Sequence, residues 1–453
     1  MICKKTLLAL SLAGATIASA LADDSTFTRR TIAVDLAGAA FVVAGDLTPG
    51  PRTELVTSSF GQMMFGPNGP IIPDAGAVTL FKSAEKGNRP HGNLRHWRAI
   101  TIVDESEGIT FPNRPTIADV NNNGRDDVIV PGGYFFDTYI GNSRGSITWW
   151  ENRARGNKWV RHDVITDSPY SFHSVLFDDF TGDGINDIVT VGEDAGNPQD
   201  VEDDDIQTFL IPGNRQKGFD APVAISPGGG SLLSAYDVNA DGRLDIVSPQ
   251  FFGPVTLQPV FVESARDTSM ASFVWFENLG DGNFEKHSIG IDQGPGFAMV
   301  PVPNLRGDGV LRWVATNHTN QNVTFPPFAL YPEPAVYEFT PGEDPTQAWE
   351  VRTLSAPGDF PVEGGVGQAA PGFLATGDIN GDGRIDIAVS GDGARGVFWL
   401  EQLADGSFIT HQFPASEGYG QSGGPVVMDL NRSGTNEVVF SSFDENAVSI
   451  WGR

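Results

Sequence analysis

The segment DINGDGRIDIAV, residues 378–389, places an acidic, glycine-containing turn directly before a run of aliphatic residues. Closely related versions of this form, D-x-N-x-D-G-x-x-D followed by aliphatics, begin at Asp119, Asp179 and Asp237. Weaker copies begin at Asp46, Asn304 and Asp429. Self-similarity at a period of this size indicates a repeat architecture, in which each copy is one supersecondary unit. The seven copies therefore predict seven blades.

Each unit continues with a strand rich in aromatic and β-branched residues, such as SITWWEN from Ser146 and FVWFEN from Phe273. A further outer strand follows in every unit except the last. The segment FTRRTI, residues 27–32, has the pattern of those outer strands. Because ring closure protects sheet edges, we predict an all-β fold, a seven-bladed β-propeller of four-stranded blades, closed by residues 27–32 as the outer strand of the last blade. An ordinary N-terminal strand is the alternative.

These acidic loops followed by aliphatic strands resemble FG-GAP/VCBS repeats, the type found in integrin α-subunit propellers and in secreted microbial and fungal β-propellers. The resemblance covers nearly all of residues 23–453, which we expect to form a single domain. It implies that each loop joins the innermost strand of a blade to the next strand and holds calcium. It names no activity, because one propeller scaffold hosts many functions.

Four loops offer the oxygen ligands that calcium requires. Calcium takes about six to eight oxygens from carboxylates, amides and a carbonyl around a loop that turns sharply at glycine. Positions one, three, five and nine supply the predicted ligands: Asp119, Asn121, Asn123, Asp127, Asp179, Thr181, Asp183, Asp187, Asp237, Asn239, Asp241, Asp245, Asp378, Asn380, Asp382 and Asp386. We expect about four structural Ca²⁺ ions, with the first of these loops binding more weakly because it has fewer carboxylates. Turns without an ion are the alternative.

The three weaker loops depart from this pattern. In the fifth loop, Arg306 and Arg312 occupy ligand positions, which argues against a cation. A salt bridge to Asp308 is expected there instead. The loop at Asp46 has a proline where glycine should turn, so its acidic residues are expected to be polar turn residues. Whether the loop at Asp429 binds calcium stays open.

Composition and the N-terminus limit the partners and the location. The 453 residues include 57 acidic and 29 basic side chains, for a net charge of −28, which repels nucleic acids and anionic membranes. We therefore expect no nucleic-acid partner, and we expect a monomer. Lys4 and Lys5 precede an apolar run too short to span a membrane, and Ala20 and Ala22 form a cleavage pattern. Residues 1–22 are predicted to be a signal peptide, which implies a secreted or periplasmic protein.

The loops after the second strand are long in the first five units and short in the last two. Long loops on a rigid scaffold are where binding residues concentrate, and aromatic side chains on them offer flat surfaces to sugar rings. The candidate ligand-binding residues are Tyr134, Phe135, Phe136, Tyr139, Phe251, Phe252 and Tyr331. Alternatively, these rings pin their own loops to the blades. We expect a non-catalytic binding module for a glycan. An extracellular protein partner, contacted by the acidic run 200–205, is an alternative.

Catalytic candidates are few. His173 directly precedes an inner strand and is expected to face the central channel, where Tyr170 could form a proton-transfer pair with it. His318 begins a long loop. The histidines in or beside outer strands, expected at the surface, are His96, His162, His287 and His411. These candidates keep a carbohydrate-active lyase or dehydratase open as an alternative to the binding module.

Overall fold

The computed structural model describes most of the chain. The described ranges are 27–50, 53–62, 64–66, 69–71, 75–83, 96–134, 143–194, 205–216, 218–230, 232–251, 272–317, 333–360, 371–391 and 396–453. The predicted signal peptide lies outside them. Within them, seven four-stranded sheets and a two-stranded hairpin form, and all strand pairs are antiparallel. The predicted seven-bladed propeller is confirmed.

The first strand of the chain belongs to the last blade, and the next strands build blades 1 to 3. Strand β1 is Thr28–Ala33. Blade 1 contains β2 (Ala39–Gly45), β3 (Glu54–Ser59), β6 (Ala77–Ser83) and β7 (Trp97–Val103), with the hairpin β4 (Met64–Gly66) and β5 (Gly69–Ile71) in its long loop. Blade 2 contains β8 (Thr116–Ala118), β9 (Asp127–Gly132), β10 (Gly145–Asn152) and β11 (Trp159–Ser168). Blade 3 contains β12 (Ser171–Asp178), β13 (Asp187–Asp194), β14 (Asp205–Ile211) and β15 (Val223–Pro227).

Blades 4 to 7 follow the same order from the inner to the outer strand. Blade 4 contains β16 (Ser234–Tyr236), β17 (Asp245–Pro249), β18 (Phe273–Gly280) and β19 (Asn283–Gly290). Blade 5 contains β20 (Gly296–Pro303), β21 (Leu311–Asn317), β22 (Val336–Thr340) and β23 (Glu350–Thr353). Blade 6 contains β24 (Leu374–Gly377), β25 (Asp386–Val389), β26 (Phe398–Gln402) and β27 (Phe408–Gln412). Blade 7 contains β28 (Ser422–Met428), β29 (Glu437–Ser442), β30 (Ala447–Gly452) and β1.

The N-terminal strand closes the ring, as predicted. β1 pairs antiparallel with β30, with Arg30 opposite Ile450. Arg29 anchors the junction, because its guanidinium forms an ion pair with Glu445 and lies 4.6 Å from the centre of the Tyr419 ring. Hydrogen bonds, an ion pair and a cation–π contact thus hold together the two ends of the described chain.

The core is divided among the wedges between neighbouring blades. Between blades 4 and 5, Trp275 packs in one buried cluster with Trp313 and Phe339. Between blades 6 and 7, Trp399 and Trp451 share another cluster. Aromatic and β-branched residues favour the pleated strands that present these side chains. Each blade therefore contributes apolar surface to two wedges and depends on both neighbours.

A chain of aromatic rings crosses the propeller where the long loops leave the strands. Centroids of successive rings lie between 3.5 and 6.0 Å apart. This aromatic belt consists, in order of contact, of Tyr134, Phe111, Phe60, Phe41, Phe373, Phe297 and Phe251. Its Phe41 comes from blade 1 and its Phe373 directly precedes blade 6, so the belt passes between these blades without a ring from blade 7.

The remaining described structure is irregular apart from one short helical turn. A 3-10 helix, Glu105–Glu107, lies in the connection between blades 1 and 2. No helix within the described ranges has the length and apolarity needed to cross a membrane.

Replacing Arg29 with alanine is expected to lower the free energy of unfolding by about 2 kcal/mol, because the closing strand loses its cation–π contact and its charge-assisted bonds. Urea unfolding followed by circular dichroism measures the change. Arg98→Ala is the control, since Arg98 is an exposed residue of β7, an outer strand away from the closure. Equal losses in the two variants would contradict the role of Arg29.

Candidate metal loops and channel-facing groups

The repeat loops share one turn geometry, which blade 4 illustrates. The Asp237 carboxylate, at position one, accepts hydrogen bonds from the backbone N–H groups of Asp241 and Gly242, with N···O distances of 3.0 and 2.9 Å. Gly242 has a φ of +88°, a left-handed conformation that favours glycine. The same two bonds form in the loops that begin at Asp119, Asp179 and Asp378. The first predicted ligand therefore also orders the turn.

Position nine of these loops is a buried carboxylate that ties the loop to the third strand of its blade. In blade 4, Asp245 Oδ2 accepts from the Val238 N–H and Oδ1 from the Asn278 N–H, both at 2.8 Å. The equivalent carboxylates are those of Asp127, Asp187 and Asp386. Burial raises the pKa of Asp245 to about 6 and that of Asp386 to about 7. An ionised carboxylate here is costly unless a cation or hydrogen bonds offset its charge.

Amide oxygens in two loops fit a cation. Oδ1 of Asn123, at position five in blade 2, is a buried atom that accepts no hydrogen bond from the described residues. The same holds for Oδ1 of Asn431, at position three in blade 7. An unsatisfied buried oxygen is costly, and a hard cation such as Ca²⁺ would satisfy it. The donor set is thus compatible with calcium, and the four predicted sites remain predictions.

In blades 4 and 6 an arginine already contacts the carboxylate at position five. The Arg243 guanidinium forms an ion pair with Asp241, and that of Arg384 forms one with Asp382. The equivalent residue in blade 3 is Ile185, which carries no charge. A cation in the loops of blades 4 and 6 must therefore compete with an arginine for the carboxylate at position five. The loop of blade 3 contains no such competing arginine.

Two arginines occupy the ligand positions of the blade 5 loop. Arg312 donates from both Nη atoms to the two carboxylate oxygens of Asp308 at 2.7 Å, which confirms the predicted salt bridge. This pairing holds the pKa of the Asp308 carboxyl well below its usual range. Arg306 donates to Glu338 from Nε and from Nη2, the latter at 2.6 Å. Guanidinium groups thus supply the positive charge in this loop.

The loops of blades 1 and 7 keep the hydrogen bonds from the loop backbone to position nine, but the residue there is glutamate. Glu54 accepts from the backbone N–H groups of Leu47 and Thr48, at 3.0 and 3.2 Å. Glu437 accepts from the Leu430 N–H at 2.9 Å, and burial raises the pKa of this carboxyl to about 7. Both loops therefore form polar turns, with or without an ion.

A tryptophan, a glutamate and a histidine recur on the outer two strands of blades 2, 4 and 6. In blade 6, His411 stacks on Trp399 with ring centroids 4.8 Å apart, and its Nε2 lies 3.0 Å from Glu401 Oε2. The equivalent residues are Trp149, Glu151 and His162, and Trp275, Glu277 and His287. The prediction of a surface position is wrong for His411, which is 8% exposed, because the tryptophan and neighbouring chain cover its ring. His96 is exposed, as predicted.

Blade 4 adds a second glutamate to its set. Glu285 lies opposite Glu277 across the β18–β19 pair, and ligand atoms of Glu277, Glu285 and His287 lie within 4.8 Å of one another. In the described part of the chain, this is the only such group of three acidic or histidine side chains. Two carboxylates and an imidazole could hold a divalent metal. The sequence analysis missed the group because it depends on which residues of two strands face each other.

His173 is paired with a buried acid. Nδ1 of His173, on β12, contacts Oε2 of Glu193, on β13, and the side chain of Glu193 is fully buried. The His173 carbonyl accepts a hydrogen bond from the Arg114 N–H at 3.0 Å. The Tyr170 ring packs edge-on against Phe209 of blade 3, with centroids 5.3 Å apart. The structure therefore gives His173 a partner that the sequence analysis did not name.

The predicted ligand-binding residues divide into two groups. Tyr134 and Phe251 are buried members of the aromatic belt, where they anchor the starts of their loops. The other candidates lie outside the described residues: Phe135, Phe136, Tyr139, Phe252 and Tyr331. The same is true of the catalytic candidate His318 and of residues 200–204 in the acidic run. The roles of all these residues stay predictions.

The double change Asp237→Ala with Asp378→Ala is expected to remove most of the rise in melting temperature that we predict for calcium, because each substitution deletes a predicted ligand. Thermal melts in CaCl₂ and in chelator measure this rise. The matched control is Asn304→Ala in the arginine-filled loop, where Asn304 Oδ1 accepts the equivalent turn bond from the Gly309 N–H at 2.7 Å. The control should melt lower but keep the calcium effect. A wild-type calcium response in the double variant would refute the metal assignment.

The stabilisation by calcium is expected to grow as pH rises from about 4 to about 7. The pKa values of Asp245 and Asp386 are raised to about 6 and about 7, so in chelator the folded state holds protons that the unfolded chain has already released. That contribution to stability is present at low pH and is lost as pH rises through these values. Calcium offsets the loss by binding the ionised form. Urea unfolding with CaCl₂ or chelator at each pH tests this, and a pH-independent difference would contradict it.

Comparison with known proteins supports the repeat and the fold. The model of the FG-GAP-like repeat family matches residues 378–440. None of the curated proteins matches the sequence. Among solved structures, the protein is similar to the GH93 alpha-L-arabinofuranosidase of Fusarium graminearum, in complex with arabinobiose, at 10% identity and a TM-score of 0.46, covering 94% of this chain and 97% of the other. It is also similar to a fungal alcohol oxidase of the AA5 family, in complex with copper, at 12% identity and a TM-score of 0.50, covering 94% and 75%.

At these identities, neither structure carries an argument about activity. The matched segment begins with the acidic loop at Asp378, and the two turn bonds of that loop recur in the loops at Asp119, Asp179 and Asp237. Pattern, geometry and family match agree. The protein is a seven-bladed β-propeller that contains an FG-GAP-like repeat.

Proposed function

We propose that the protein is an exported, calcium-stabilised binding module for carbohydrate, which acts without catalysis through the long loops of blades 1 to 5. One observation carries the proposal. The loops after the second strand are long in these five blades, whereas residues 390–397 and 443–446 are short links in blades 6 and 7. The propeller therefore has a one-sided rim of loops, which suits a ligand bound across several blades.

The aromatic belt gives this rim an apolar floor. Phe60 and Phe373 are its half-buried members, so part of each ring is accessible. Phe60 stacks on Phe111 with centroids 3.5 Å apart, which holds the ring in one orientation. A fixed, accessible aromatic ring suits the apolar face of a sugar, because little conformational entropy is lost when it is covered.

The repeat loops support a structural role for calcium. They lie at the opposite ends of the inner strands from the long loops, since each joins the first strand of a blade to its second. An ion there stabilises the hairpins that carry the rim by binding the folded state. It would not contact a ligand held by the long loops.

A second candidate function is a carbohydrate lyase or dehydratase. The contact between His173 and the buried Glu193 favours it, because a carboxylate that orients an imidazole is an arrangement suited to proton transfer. A satisfied pair within the wall of β12 and β13 is the simpler interpretation, so we rank binding first.

The test is incubation of the mature protein, in CaCl₂, with a panel of insoluble polysaccharides, followed by analysis of bound protein and released sugars. Retention on one polymer without products is the expected result. Phe60→Ala should weaken retention at least about tenfold, the loss of roughly 1.4 kcal/mol. Phe284→Ala is the control, because Phe284 is a half-buried ring at the start of β19. Failure of every glycan to retain the protein would refute the proposal.

Unsaturated or dehydrated sugars in the supernatant would instead favour the enzyme. In that case His173→Ala and Glu193→Gln should each abolish product formation while retention on the polymer persists. A structural role for His173 and Glu193 would be indicated by two results together. Both variants would fail to fold, and the rate of product formation by the wild type would not change with pH.

A further inference from the structure

The centre of the propeller contains a cavity of about 350 Å³. Inner strands of blades 1, 4, 5 and 7 and the start of β24 in blade 6 form most of its wall. Most of the residues that line it are apolar, among them Phe41, Leu233, Met299, Phe373, Val427 and Met428. A volume of this size lies in the range of small-molecule sites.

Arg114 is the one charged residue that lines the cavity in the described part of the chain. It precedes β8, and its position is fixed from both sides. Its backbone N–H donates to the His173 carbonyl at 3.0 Å. The side-chain amide of the preceding Asn113 donates to the Phe172 carbonyl at 3.0 Å and to the Gly133 carbonyl at 3.2 Å. The connection between blades 1 and 2 therefore holds this arginine at the cavity wall.

The guanidinium of Arg114 has no carboxylate or hydrogen-bond partner among the described residues. Surrounding protein lowers its pKa, and no charge partner contributes to that shift. Arg29, Arg306 and Arg312 provide the contrast, because each of them pairs with a carboxylate. Arg114 is itself an exposed residue, so its guanidinium is open to solvent in the cavity and accessible to a ligand.

We propose that this channel cavity binds a small organic anion whose carboxylate pairs with Arg114 and whose apolar body lies against the aliphatic and aromatic wall. Guanidinium and carboxylate match in a bidentate geometry, with two parallel N–H···O bonds. The apolar wall favours an aromatic or aliphatic acid over a hydrated inorganic anion, because the wall cannot replace the hydration shell of the latter. The cavity shares Phe41 and Phe373 with the aromatic belt, whereas Arg114 is not part of that belt.

Isothermal titration of the folded protein with benzoate, benzamide, acetate and sulfate tests the proposal. Benzoate should bind at least about tenfold more tightly than benzamide, its neutral analogue, and than acetate, which lacks the apolar body. Arg114→Gln should remove the preference for benzoate over benzamide, and Arg114→Lys should keep part of it. Arg98→Gln, which changes an exposed arginine on blade 1, should bind benzoate as the wild type does.

Thermal melting without ligand gives an independent readout. Arg114→Gln should melt at about the same temperature as the wild type, because the exposed guanidinium has no partner among the described residues. Absence of benzoate binding, equal affinity for benzoate and benzamide, or tighter sulfate than benzoate binding would each overturn the proposal. A large drop in the melting temperature of Arg114→Gln would also overturn it, since Arg114 would then be a structural ion-pair residue. None of these results bears on the proposed carbohydrate binding, which the polysaccharide retention experiment tests separately.

Discussion

The side chain at position nine of the repeat loops, which is buried in every blade except blade 5, is the feature on which the blades depend. In six blades it is a carboxylate that accepts a backbone N–H of its own loop: Glu54, Asp127, Asp187, Asp245, Asp386 and Glu437. This bond fixes where the second strand begins and hence the register of the blade. It also places negative charge inside a protein that is already strongly acidic. That charge has to be offset by hydrogen bonds, by a proton or by a cation, and the raised pKa values of Asp245, Asp386 and Glu437 reflect the cost of leaving it ionised.

Blades 2, 4 and 6 add a bond that makes pairs of blades act together. The side-chain amides of Asn152, Asn278 and Gln402, at the ends of the third strands, donate to Leu47, Phe180 and Leu305 in the loops of the preceding blades, at 2.8 to 2.9 Å. The tryptophan, glutamate and histidine sets occur in the same three blades. These bonds link blade 1 to 2, blade 3 to 4 and blade 5 to 6, while the aromatic clusters link blade 4 to 5 and blade 6 to 7.

Local pattern predicted the features that each repeat carries within itself. The blade number, the closing strand and the Arg312 to Asp308 salt bridge follow from spacing and residue type alone. Features that depend on strand register could not be predicted from spacing and residue type. His173 meets Glu193 beyond a register shift in the β12–β13 pair, and Glu285 faces Glu277 only once β18 and β19 are aligned. Arg114 lies in a connection without periodicity, so nothing in its neighbourhood of sequence indicates that it reaches the central cavity.

The closing strand also constrains the order in which the protein can fold. Arg29 and Ser449, which share a hydrogen bond, are 420 residues apart in sequence. β1 therefore has no partner strand until β30, the last strand of the described sequence, has been made. Until then, blade 7 presents an open edge, the kind of surface on which chains aggregate. Non-local closure of this kind makes folding slow, and it makes the complete propeller a cooperative unit in which the last step protects all the earlier ones.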